Sequence, residues 1–117
     1  MHMDKAFELG KLVGQRDEYK ALRRAQEDME QASELKLKFD RMEQLADQLQ
    51  QTAAQGKEPP KDEIEEYDRL FSEAQADPRY QQLAAAQSNF DKLMTQVQQR
   101  IAEGMQKGAE SSIIILG

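Results

Sequence analysis

At 117 residues the chain has the length of a single domain. With 38% hydrophobic against 32% charged residues, it has material for narrow apolar stripes rather than a thick interior. A formal net charge of −6 removes the positive field behind most non-specific affinity for nucleic acid, and the lack of cysteine excludes disulfides, thiolate metal sites and thiol catalysis. Glycine and proline are scarce beside abundant Ala, Gln, Glu, Leu and Lys, so an all-α chain is expected, with no strand pattern before the last few residues. No charged n-region precedes an apolar h-region, and no apolar run approaches the roughly 18 residues of a spanning helix. A soluble, cytoplasmic protein is the expectation.

Asp4 is an N-cap candidate for a first helix over 4–14, carrying Ala6, Phe7, Leu9, Gly10 and Val13. Gly10 and Gly14 stand four apart, read either as close packing against a neighbouring helix or as a helix end at Gly14. Their charged flanks do not fit a membrane dimerisation motif. Asp17 then opens a second helix over 17–31, with Tyr19, Leu22, Ala25, Met29 and Ala32 facing inward. Lys20, Arg23 and Arg24 form a basic cluster outside it. Two readings stand: a solvated face paired with Glu18 and Glu27 at about 0.2–0.5 kcal/mol each, or a docking patch for an acidic partner.

Ser33 is expected to cap a third helix over 33–55. Leu35, Phe39, Met42, Ala46, Leu49 and Ala53 follow at alternating steps of four and three, close to a coiled-coil seam. Such a helix is roughly 35 Å long, about the diameter of a compact domain of this length, so its ends call for a partner. Gly56 suits the left-handed position after the helix, and Pro59 and Pro60 stop it. Ile64, Tyr67 and Phe71 restart the period in a fourth helix over 61–75, completing a long central αα-hairpin. Asp62, Glu63, Glu65 and Glu66 crowd its first turns, where the helix dipole favours acids. As metal ligands they lack the Glu-x-x-His partners of a di-iron bundle, since the one histidine is His2, and no calcium-loop pattern is present.

Asp77-Pro78 is a strong helix start, an N-cap side chain followed by proline at the first position. A fifth helix over 78–104 carries Leu83, Ala86, Phe90, Leu93, Met94, Val97 and Ile101, ending around Gly104 or Gly108. The chain thus divides into a helical domain over 1–110 and a short apolar tail over 111–117. The tail, with Ile113 to Leu116, is β-prone; it either docks on the bundle or a partner or lies disordered.

Chemistry is missing from the inventory. One terminal histidine, no thiol, no glycine-rich phosphate loop and no Walker pattern leave no catalytic constellation. No enzyme, metal or cofactor is expected. The seams of the third helix (Leu35, Phe39, Met42 and Leu49) and of the fifth (Phe90, Val97 and Ile101) are the candidate interface of a homo-oligomer, in the first instance a dimer.

The ordered motifs resemble the YlbF/YmcA/YheA family of small helical bacterial proteins. The matching residues are Ala6-Phe7-Glu8-Leu9-Gly10, then Glu18-Tyr19-Lys20-Ala21-Leu22, then Gln55-Gly56-Lys57-Glu58-Pro59 with Glu63-Ile64. Asp77-Pro78, Ala86-Gln87-Ser88-Asn89-Phe90, Val97 and Ile101-Ala102-Glu103-Gly104 complete the set, which covers about residues 4 to 104. The resemblance implies a multihelical, oligomer-forming, non-enzymatic cytoplasmic regulator. It also implies a complex acting on competence, biofilm formation and sporulation through messenger-RNA processing by ribonuclease Y. Family members with cysteines near the C-terminus are associated with iron–sulfur clusters; this chain has no cysteine, so that property is not carried over. The leading expectation is a regulatory adaptor that binds protein partners. The alternative is a structural or holdase-like coiled coil, in keeping with the Gln-rich composition and 6% aromatic residues.

Overall fold

Among the described residues five helices are formed: α1 (Met3–Gly14), α2 (Asp17–Glu30), α3 (Ser33–Ala54), α4 (Lys61–Ala76) and α5 (Pro78–Leu116). The computed structural model describes residues 3–116, with side chains as far as Ser111. Among these residues there is no strand, and no helix is long and apolar enough to cross a membrane.

Local chemistry sets most of the boundaries. After α3, Gly56 takes φ +73°, the Gly56 N–H donates to the Ala53 carbonyl at 3.0 Å, and the Lys57 N–H donates to the Thr52 carbonyl at 3.2 Å. This is the paired terminus that a left-handed glycine permits. At the start of α5, Asp77 Oδ1 accepts the Arg79 backbone N–H at 2.8 Å, while the Arg79 guanidinium donates to both carboxylate oxygens at 3.1 and 2.9 Å. Those bonds hold the Asp77 carboxyl at about 2, below its ordinary 3.8. Three other expected caps are not caps: Asp4 lies inside α1, and the remaining two begin α2 and α3. Arg16 and Ala32 occupy the N-cap positions of α2 and α3 without side-chain bonds, and Asp17 and Ser33 lie one step inside. There Asp17 still meets the positive end of the helix dipole.

The largest departure is at the C-terminus. α5 does not stop at Gly104 or Gly108 but continues to Leu116. Each glycine costs about 1 kcal/mol relative to alanine, yet neither adopts positive φ, and no proline follows. The surrounding Ala, Glu, Met, Gln and Lys sustain the helix, helped by the Arg100–Glu103 pair, a Lys107–Glu110 pair at 3.8 Å and the Ser111 hydroxyl donating to the Lys107 carbonyl at 3.0 Å. The strand-prone reading of the tail therefore gives way to helical backbone as far as Leu116. Its expected docking rests on side chains outside those described.

The helices pair as two nested antiparallel hairpins. In the inner one, α3 lies along α4, with Met42 and Leu45 against Leu70, flanked by Phe39 and Tyr67. In the outer one, α2 lies along α5, with Leu22 and Ala25 against Ala86, Leu83 and Phe90, and Tyr19 meeting Phe90 at 5.9 Å between ring centroids. The two hairpins meet where Ala32, Leu35 and Ala74 are buried together beneath Met29, Phe39 and Tyr80. The outcome is an elongated body of 69 × 36 × 20 Å with a radius of gyration of 22.1 Å, against about 13 Å for a compact chain of this length. A thin chain of small clusters replaces a thick core, as the sparse apolar content requires.

Two outcomes follow for stability. Gly56→Ala should lose about 1–2 kcal/mol in urea melts, the steric penalty of a left-handed alanine. Because Asp77 is more acidic folded than unfolded, its contribution is complete above about pH 4. It disappears as pH falls through about 2. The melting temperature of Asp77→Asn should be lower than that of the unsubstituted protein at neutral pH and flatter across that acid window.

Candidate interaction surface

The two sides of the inner hairpin differ. One flank is polar: Arg41 donates to both oxygens of Glu66 at 2.7 and 3.1 Å, and Lys38 pairs with Glu73 at 3.2 Å. The bidentate contact keeps Glu66 more acidic than usual and Arg41 more basic. It fixes the register of α3 on α4 rather than adding much stability, since both partners face solvent. Glu66 is thereby committed to a structural ion pair, and among the described residues no three acids or histidines are grouped to hold a metal. On the opposite flank Tyr67 and Phe71 stack at 6.4 Å.

The α3 seam closes inside the chain. Leu35 and Met42 are buried against α4, Phe39 is half-buried between two clusters and packs on Tyr80 at 6.0 Å, and Leu49 is half-buried near the hairpin tip. The expectation that this seam needed a partner assumed a compact domain. In the elongated body α4 runs along α3 and covers Leu35 and Met42, while Ala46 and Ala53 of the same stripe stay exposed. Leu35 and Met42 thus have no surface left for a second chain.

The α5 residues have a different fate. Phe90, Val97 and Ile101, with Met94, form one wall of an open groove of about 390 Å³. Ala6, Leu9, Gly10 and Val13 of α1 form the other wall, and Tyr19 of α2 lies at one end. α1 packs its backbone only against α2 and buries no residue. Its small residues Ala6, Gly10 and Gly14 therefore face α5 across a gap rather than in contact; a Cβ at either glycine would meet nothing within 4 Å. Within the groove Leu9 is 36% and Ile101 47% exposed; outside its lining Phe7, Leu12 and Met105 are exposed as well. Other depressions along α5 are lined by polar side chains such as Gln87, Asp91, Lys92 and Gln99, or Arg100, Glu103 and Lys107. The α1/α5 face is the apolar one.

Sequence reasoning assigned three of the groove residues to an interface and left the α1 wall and Met94 out of it. A signal was available: Met3, Phe7, Leu9, Leu12 and Val13 are too many apolar residues for a single stripe of a twelve-residue helix. The basic cluster also differs from its expected pairing. Glu18 is held by Arg16 at 3.2 Å, and among the described residues Lys20, Arg23 and Arg24 make no ion pair.

The family described as control of competence regulator ComK, YlbF/YmcA, matches residues 2–106. The chain belongs to the YlbF/YmcA family. No curated protein and no solved structure matches it. The YlbF/YmcA match spans α1 through Gln106 of α5 and includes the whole groove. Its description is regulatory rather than catalytic.

Leu35→Ala and Met42→Ala should each cost about 2–5 kcal/mol in urea melts, as buried leucine- or methionine-to-alanine changes do. The mass of the folded fraction in solution should not change, since neither side chain reaches the surface.

Proposed function

We propose that the protein is a non-enzymatic regulatory adaptor of the YlbF/YmcA type. In this reading it acts in the cytoplasm as a homo-oligomer and binds protein partners of a competence-related regulatory complex. The observation that carries the reading is the apolar α1/α5 face, where Leu9 and Ile101 are exposed beside Val13, Phe90, Met94 and Val97. Exposed apolar surface that is contiguous and grooved is characteristic of protein-binding sites. Membership of a family described as controlling a competence regulator supports the regulatory part.

Light scattering at micromolar concentrations is expected to give a mass above that of one chain, and Ile101→Glu should lower it by placing a carboxylate in a desolvated contact. A monomeric mass throughout would refute self-association. Tagged protein recovered from its native host should bring down one defined set of partners, and Ile101→Glu should lose them. A heterogeneous set of unfolded clients would instead favour the holdase reading.

A further inference from the structure

We infer that the aromatic flank of the α3/α4 hairpin, centred on Ile64 and Phe71, docks a basic amphipathic helix of a partner protein. This surface is separate from the α1/α5 face, and its occupation does not depend on self-association.

Helical spacing defines the flank. Ile64, Asp68, Phe71 and Gln75 recur at steps of four and three, so they share one edge of α4. Phe39, Glu43, Ala46 and Gln50 do the same on α3. The Arg41–Glu66 bond marks the edges that adjoin on the polar flank, so in this antiparallel pair the other two edges adjoin on the aromatic one. There Tyr67 and Phe71 stack at 6.4 Å, and Phe39 and Tyr67 pack against the same core cluster. Ile64 is 38% and Phe71 43% exposed, while Ala46 on α3 is exposed and small. A ridge of large side chains on α4 thus borders a low strip on α3, the relief into which a third helix packs. Ile64 and Phe71 stand roughly 10 Å apart along the axis, the distance between residues two turns apart on an incoming helix.

Charge selects the occupant. Across 33–76 eleven acids stand against six bases, so this hairpin carries −5 of the chain's −6. Of those bases, Lys38, Arg41 and Arg69 are already engaged with Glu66 and Glu73. Lys36, Lys57 and Lys61 lie toward the two ends of the hairpin. Among the described residues Glu43, Asp47, Glu65 and Asp68 make no ion pair, and Glu43 and Asp68 sit on the two edges of the flank itself. Such a field repels phosphate backbones and anionic lipid. A second copy brings the same negative charge. Its basic cluster, Lys20, Arg23 and Arg24, has no apolar stripe to add, because Leu22 and Ala25 of that helix are buried against α5. A partner helix with Lys or Arg flanking an apolar stripe matches both the ridge and the rim. The contact is small and belongs with transient interfaces, where opposite charge raises the rate of encounter.

The test uses the full chain and a fluorescein-labelled helical peptide of leucine and lysine, with its leucines on one face. Two controls accompany it: the same composition with leucines scattered, and glutamate in place of lysine. By fluorescence anisotropy the ordered lysine peptide is expected to bind, and both controls to bind at least about tenfold more weakly. Phe71→Ala, and separately Glu43→Gln with Asp68→Gln, should each weaken binding by about tenfold. Helicity by circular dichroism should hold, since these three side chains are exposed. Ile101→Glu should leave the affinity unchanged, so failure of the α1/α5 reading and failure of this one are told apart. Equal binding of the scattered peptide, or an unaltered affinity in Phe71→Ala, reduces the attraction to bulk charge and overturns the site. Tighter binding of the glutamate peptide overturns the partner's polarity. Self-association that disappears in Phe71→Glu places a second copy on the flank and overturns the proposal likewise.

Discussion

The structure depends on how closely two helix pairs can approach at one crossing. Ala32 and Ala74 are buried together there, where the end of α2, the start of α3 and the end of α4 meet. Leu35 fills the remaining space, and Phe39 and Tyr80 lean over it at 6.0 Å. Asp77 sits beside this crossing and binds Arg79, so the turn that sends α5 back along α2 is held there by charge-assisted bonds. With the crossing set, the inner hairpin projects one way and α5 the other, and the body is long rather than round.

That elongation explains which parts of the fold could be read from sequence. Helix existence and most ends were legible because their punctuation is local: Gly56 with two prolines behind it, and Asp77 with Pro78. The far end of α5 was not, since glycine alone is a weak stop when no left-handed turn is made and strong helix formers surround it. The caps at Asp17 and Ser33 were misplaced by one residue for a similar reason. Short polar side chains are acceptable both at a cap and just inside it, and the tight turns through Arg16 and Ala32 settle the difference.

The interaction surface shows a second limit. A stripe at three–four spacing states that a helix face will be covered, not by what. Leu35 and Phe90 look equivalent in the chain, yet α4 covers the first and only part of α2 reaches the second. What separates them is tertiary: α4 is long enough to follow the α3 seam, whereas α2 begins only just before Tyr19 and α1 stands off from α5. Polar chemistry is correspondingly confined to holding register, through Arg41–Glu66 and Lys38–Glu73, and leaves no ionisable group in the groove except the Tyr19 phenol.

Nesting one hairpin inside another also orders how the chain assembles. Inner contacts such as Arg41–Glu66 join residues only 25 apart, so their loop closes at small entropic cost. Tyr19 and Phe90 meet only across the whole of that hairpin. Once α3 and α4 are paired, the stretch between α2 and α5 behaves as a short stiff connection rather than a long flexible loop. The inner pair thereby acts as the template on which the outer pair, and with it the α1/α5 groove, is built last.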